Sequence, residues 1–107
     1  MIVTAWNNGS SGYGVKISYR DRKKYFREEW ESITLEIEGF TKPIDVNVNK
    51  SSFWTPKCGE LIKKEIRYWL FENDLAPWPY RKPPKLWLEF ISDRSFSLSK
   101  YPPPSAS

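Results

Sequence analysis

Histidine is absent from this 107-residue chain, and cysteine occurs once, as Cys58. The first absence removes histidine-based nucleophilic catalysis, the usual switch near neutral pH and most zinc sites. A lone cysteine forms no internal disulfide and no cysteine zinc cluster. Cys58 is expected as a small buried core residue. No apolar run approaches the length of a membrane span, so no membrane role is expected. The opening segment, Met1 to Gly9, has neither a charged start nor a long apolar stretch. It does not read as a signal peptide, and a cytoplasmic location is expected. Asn8-Gly9-Ser10 and Asn49-Lys50-Ser51 match the glycosylation sequon and are read as chance.

The familiar catalytic and metal patterns are missing as well. Asp45-Val46-Asn47-Val48-Asn49 imitates the start of a calcium loop. However, Lys50 stands where the loop needs glycine, and Pro56 stands where it needs the bidentate glutamate. Glu36 and Glu38 share one face of a strand, which reads as a solvated face rather than a magnesium site. Ser10, Ser11, Ser51 and Ser52 have no histidine to act as base, and no lysine spacing favours a Ser–Lys dyad. Asn7 to Gly14 has the glycines of a phosphate cradle but lacks the Walker lysine pattern and a following helix. It reads as a flexible loop between strands. No catalytic residue, cofactor or metal is expected.

What the chain does have is aromatic side chains: six Trp, six Tyr and six Phe. They can build a core or supply stacking surfaces. The net charge is +4, mildly basic, and the charges are segregated. Lys16, Arg20, Arg22, Lys23, Lys24 and Arg27 lie together with Asp21 alone against them. Glu28, Glu29, Glu31, Glu36, Glu38 and Asp45 follow, relieved by Lys42. Arg81, Lys82 and Lys85 form a third block with no acid.

Taken in order, Ile2 to Trp6 predicts a strand and Asn7 to Gly12 a turn. Tyr13 to Arg20 alternates, with Tyr13, Val15, Ile17 and Tyr19 on one face. Asp21 to Trp30 predicts a short helix capped by Asp21 and docked by Phe26 and Trp30. Ile33–Glu38 and Ile44–Val48 predict a hairpin across Gly39–Pro43. Thr55 to Asn73 predicts the main helix: Cys58, Leu61, Ile62, Ile66, Trp69 and Leu70 fall three and four apart, Thr55 is a good N-cap, and Pro56 suits the first turn. Pro77, Pro79, Pro83 and Pro84 make the next segment an extended crossing. Leu86, Leu88 and Phe90 then point inward along a strand, and Phe96 and Leu98 begin another.

The expected fold is α+β: an antiparallel, strongly bent sheet or small open barrel of about six strands, packed against one long helix, with a second short helix. Residues 1–100 form a single domain. Residues 101–107, rich in Pro and Ser, form a tail expected to be disordered.

Cations interleaved with aromatics are the strongest functional pattern. Lys16, Arg20, Arg22, Lys23, Lys24, Arg27, Arg81, Lys82 and Lys85 are candidates to hold a phosphate backbone. Trp6, Asn8, Tyr13 and Trp78 are candidates for stacking or recognition. For Trp78 itself, a plug locking the crossing onto the core is the favoured reading.

Ser52-Phe53-Trp54, Cys58, Glu60-Leu61, Glu65-Ile66, Trp69-Leu70 and Leu75-Ala-Pro-Trp-Pro79, with Met1–Gly9 and Gly12-Tyr13-Gly14, resemble a set of small uncharacterised prokaryotic proteins. That resemblance implies no activity. Val15-Lys16-Ile17-Ser18, Asp21-Arg22 and Tyr25-Phe26, followed by a hairpin, are similar to DNA-binding pseudobarrel domains of the plant B3 kind. There a strand and a short basic helix precede an antiparallel barrel. The expected function is a non-enzymatic module binding DNA or RNA. The alternative is a small protein-interaction module, an inhibitor or adaptor, because Trp, Tyr and Arg are enriched at interface hot spots.

Overall fold

Alternation of apolar and polar residues locates six of the seven strands. A computed structural model describes residues 1–103. Its strands are β1 (Ile2–Asn7), β2 (Tyr13–Lys16), β3 (Ser32–Ile37), β4 (Ile44–Asn47), β5 (Glu60–Ile62), β6 (Lys85–Ser92) and β7 (Ser95–Lys100). The helices are α1 (Tyr19–Tyr25) and α2 (Lys64–Glu72), and a turn of 3₁₀ helix spans Ser51–Trp54.

The strands form one sheet in the order β4-β3-β7-β6-β1-β2-β5. Every pairing is antiparallel except β3 with β7, which is parallel. The two edge strands, β4 and β5, approach each other, so the sheet curls into a nearly closed barrel. Val3, Val15, Leu35, Val46, Leu88 and Leu98 fill its interior from alternate strand positions. A ring cluster closes one end. Phe26 stacks on Phe96 at 4.5 Å, and Phe53 and Trp30 lie 5.3 and 6.1 Å from Phe26.

The main helix is shorter than its periodicity predicts. Only its second half, Lys64–Glu72, is helical, and it buries Ile66, Trp69 and Leu70 as expected. The first half divides between a loop and β5. Leu61 points into the barrel, and β5 pairs with β2, Leu61 opposite Val15. Two physical reasons favour this outcome. Gly59 sits at φ +115°, outside any helix, and β2 would otherwise be left with an unpaired edge. Cys58 is consequently a half-buried loop residue and not part of a helix face.

At the end of α2, Asn73 caps with its side-chain amide donating to the Trp69 carbonyl at 2.9 Å. Asp74 takes the left-handed conformation that follows. The short helix also starts earlier than expected. Ser18, not Asp21, is its N-cap, accepting from the Asp21 N–H at 3.1 Å.

Strand register fixes which end of the barrel each loop occupies. Thr4 lies opposite Lys16 on β2 and Lys85 on β6. β2 and β6 therefore run the same way, and α1 emerges at the end where β6 finishes. The Asn7–Tyr13 loop and the proline crossing lie at the other end, with α2: Tyr13 packs edge-on against Phe71 at 5.2 Å. Of the tail, Tyr101 stacks on Trp87 at 6.3 Å and Pro103 is buried. Positions 104–107 lie outside the described residues.

Candidate nucleic-acid interface

The groove with the richest chemistry lies between α1 and the tip of the β6–β7 hairpin. It encloses about 520 Å³ and is lined by Lys23, Lys24, Tyr25, Phe26, Arg27, Trp30, Phe90 and Asp93. Lys23 and Lys24 are exposed on the last turn of α1. Their ammonium groups lie 5.3 Å above the rings of Tyr19 and Tyr25, respectively. Phe26 ends the helix by taking an extended conformation. This drives its ring into the core and leaves Arg27 on the rim. Phe26 and Trp30 form the floor.

Phe90 makes the opposite wall, 42% exposed, with its ring 6.0 Å from Tyr25. A register shift follows it: Phe90 pairs with Phe96, but Ser92 pairs with Ser95, so Ile91 is an extra residue in β6. Such bulges bend a strand and re-aim its side chains. Ile91, the extra residue, is exposed; Phe90 keeps its place opposite Phe96 and is exposed because it ends the regular pairing beside the hairpin turn. Strict alternation puts Phe90 on the inward face with Leu86 and Leu88, as found, but does not show that this position lies at the end of the barrel, where that face opens into the groove. No glycine or proline marks the bulge.

Arg22 sits apart from its basic neighbours. It is wholly buried and so is removed from the surface set. Its Nε donates to the Ile17 carbonyl at 3.0 Å, and its Nη1 donates to the carbonyls of Phe53 and of Thr55, the latter at 3.0 Å. Its Nη2 has no partner. The guanidinium also lies over the Phe53 ring, 5.7 Å from the centroid. Burial lowers its pKa, and the charge of Glu60 opposes that shift. Arg22 ties the 3₁₀ turn and its exit to the root of α1. The signal was available: Tyr19, Arg22 and Phe26 are three and four apart, so Arg22 lies on the helix face that Phe26 anchors.

The remaining candidates are dispersed. Arg20 is exposed on α1. Lys16 and Lys85 are exposed on the outer wall, flanking Thr4, and two strand spacings separate them by about 10 Å. Glu60 lies opposite Lys16 on its other side. Arg81 and Lys82 are at the far end, in a turn closed by the Lys82 N–H to the Pro79 carbonyl at 2.9 Å. The Arg81 guanidinium lies 5.1 Å from the ring of Tyr80, which is 82% exposed.

The stacking candidates gather away from the groove. Trp6 is half-buried on the outer wall beside Gly14. Asn8 braces its own loop, its Oδ1 accepting from the Ser10 and Gly12 N–H groups at 2.9 and 3.1 Å. Trp78 meets Tyr13 edge-on at 5.8 Å, and the Arg67 guanidinium lies over Tyr13 at 5.7 Å and over Phe71 at 5.0 Å. These rings join the proline crossing to α2 and β2.

Among the described residues no three Cys, Asp or Glu side chains gather as metal ligands, and no helix is long and apolar enough to cross a membrane. No protein-family model, curated protein or solved structure matches the chain.

Proposed function

We propose that the chain is a cytoplasmic, non-enzymatic nucleic-acid-binding module. The observation that carries this reading is the α1 groove, where Lys23, Lys24 and Arg27 stand beside the aromatic walls Tyr25 and Phe90. Exposed cations draw in phosphates whatever the sequence, and ring faces hold bases. Lys16, Lys85, Arg81 and Lys82 lie outside the groove, and the reading rests on Lys23, Lys24 and Arg27. The order of a strand, a short basic helix and a mostly antiparallel barrel, which the pseudobarrel resemblance implies, adds support.

The test is fluorescence anisotropy of labelled DNA and RNA across a salt series. Each phosphate neutralised contributes about −0.9 to the slope of log affinity against log salt on duplex DNA, and about −0.7 on single strands. The triple variant K23E/K24E/R27E is expected to flatten that slope by about 2–3 and to weaken binding on the order of 100-fold. Absence of binding at low salt and micromolar protein, or a triple variant that binds like the wild type, refutes the reading.

A second reading has its own observation. On another face, Glu38, Phe40, Tyr68, Glu72, Asn73 and Lys100 line a smaller groove of about 290 Å³. Tyr68 is exposed there, its ring edge-on to Phe40 at 6.2 Å. Its pKa is raised by its hydrogen bond to Glu72. A groove with two carboxylates against one lysine, and with an exposed tyrosine, suits a polar segment of a protein partner that carries a cation. Co-purification of a stoichiometric partner that survives nuclease and is lost in E38K/E72K favours this second reading.

A further inference from the structure

We infer that the α1 groove holds an unpaired base, so that the ligand is single-stranded nucleic acid and not duplex. This rests on the nucleic-acid reading above and adds which form is bound. In a duplex the base faces are covered by their neighbours, and only phosphates and base edges are on offer. A site built for duplex therefore gains little from exposed ring faces. Here the rings are the walls. Phe90 stands at the end of the regular β6–β7 pairing, and Tyr25 lies against it, centroids 6.0 Å apart with the planes inclined by 34°, so the two rings form one ledge on which a base can lie. Behind them Phe90 meets Phe96 edge-on at 5.5 Å, so the exposed ring is backed by the barrel core and cannot fold away.

The charges are sorted in the same sense. The cations, Lys23, Lys24 and Arg27, all come from α1 and the residues just after it. The hairpin side brings a carboxylate, Asp93. Phosphates belong on the α1 side. Asp93 repels them, and it is an acceptor suited to the exocyclic amine on a base edge. A nucleotide fits with its phosphate toward α1, its base against Phe90 and Tyr25, and its edge toward Asp93. Phe90 and Ile91, adjacent apolar side chains exposed at a hairpin tip, are otherwise a liability for a soluble surface.

The experiment measures single-stranded and duplex DNA of equal length and sequence against wild type, F90L and K23E/K24E. F90L keeps an apolar side chain at a partly exposed position, and its melting curve checks that the fold is retained. Wild type is expected to prefer the single strand, F90L to lose about tenfold on the single strand while duplex binding stays within about twofold, and K23E/K24E to weaken both. Equal or tighter duplex binding, or F90L that affects both forms alike or neither, overturns the inference. In that case a K23E/K24E effect still leaves the nucleic-acid reading standing. If neither form binds, the nucleic-acid reading falls and this inference falls with it.

Discussion

Replacing Arg22 with methionine is expected to lower stability by about 3 kcal/mol, a fall in Tm of about 12–24 °C for a domain of this size. Methionine matches much of the arginine volume, so the cavity contribution is small. The loss comes from the carbonyls. Those of Ile17 and Phe53 are buried and accept from the guanidinium, while that of Thr55 is partly open to water. Each buried carbonyl left without a donor costs about 1–3 kcal/mol. Releasing a buried charge offsets part of that. R22K is expected to fare little better, because an ammonium on a flexible stem does not reproduce a planar fork reaching carbonyls from separate segments. Urea unfolding measures both variants, and an R22M protein within about 1 kcal/mol of wild type contradicts the account. Binding by the α1 groove is a separate readout. At low temperature, where R22M remains folded, its affinity for nucleic acid should match the wild type, since Arg22 has no exposed surface.

Gly14→Ala is expected to cost a similar amount, about 3 kcal/mol, at the upper end of what overpacking causes. A Cβ at Gly14 would stand 2.0 Å from the Leu61 carbonyl oxygen, 2.9 Å from its carbon and 3.1 Å from the Ile62 Cα. All three are backbone atoms of β5, so no side chain can turn aside to make room. The strand itself must move. β5 is only three residues long and forms an edge of the sheet, so it is expected to detach before the rest of the barrel opens. Native-state hydrogen exchange is the sensitive measurement. G14A should lose protection at the β2–β5 pairing while the β6–β7 hairpin keeps it. Uniform loss across the sheet, or none, contradicts the close-approach argument.

The strands were legible because their inward residues alternate with polar ones over four or more positions. β5 was not, because it is too short to show a period. Leu61 and Ile62 also continue, at helical spacing, the genuine pattern of Ile66, Trp69 and Leu70. Gly59 was the local warning, since glycine in a helix interior costs about 1 kcal/mol. For the site, sequence put Lys23, Lys24 and Arg27 on one short helix; the structure keeps Lys23 and Lys24 on α1 and places Arg27 just past its end, all three lining one groove. Sequence could not tell Arg22 from them by charge, although the face shared with Phe26 tells them apart. Of the aromatic lining, Tyr25, Phe26 and Trp30 come from the same segment, and Phe90 was out of reach. Phe90 comes from more than sixty positions away, and its exposure depends on its place at the end of the β6–β7 pairing, which residue type does not mark.

The parallel pairing of β3 with β7 carries a consequence for how the chain reaches its fold. Among the described residues, the β3–β4 hairpin is joined to the rest of the hydrogen-bonded sheet through β7 alone. Until Ser95–Lys100 has been made and has paired, that hairpin has no partner, and the Leu35 and Val46 side chains have no finished interior to enter. A nascent chain carrying the first six strands thus has two groups of strands with no hydrogen-bonded ladder between them and with apolar faces still open, the kind of species that associates with its neighbours. Closure of this barrel therefore waits on β7.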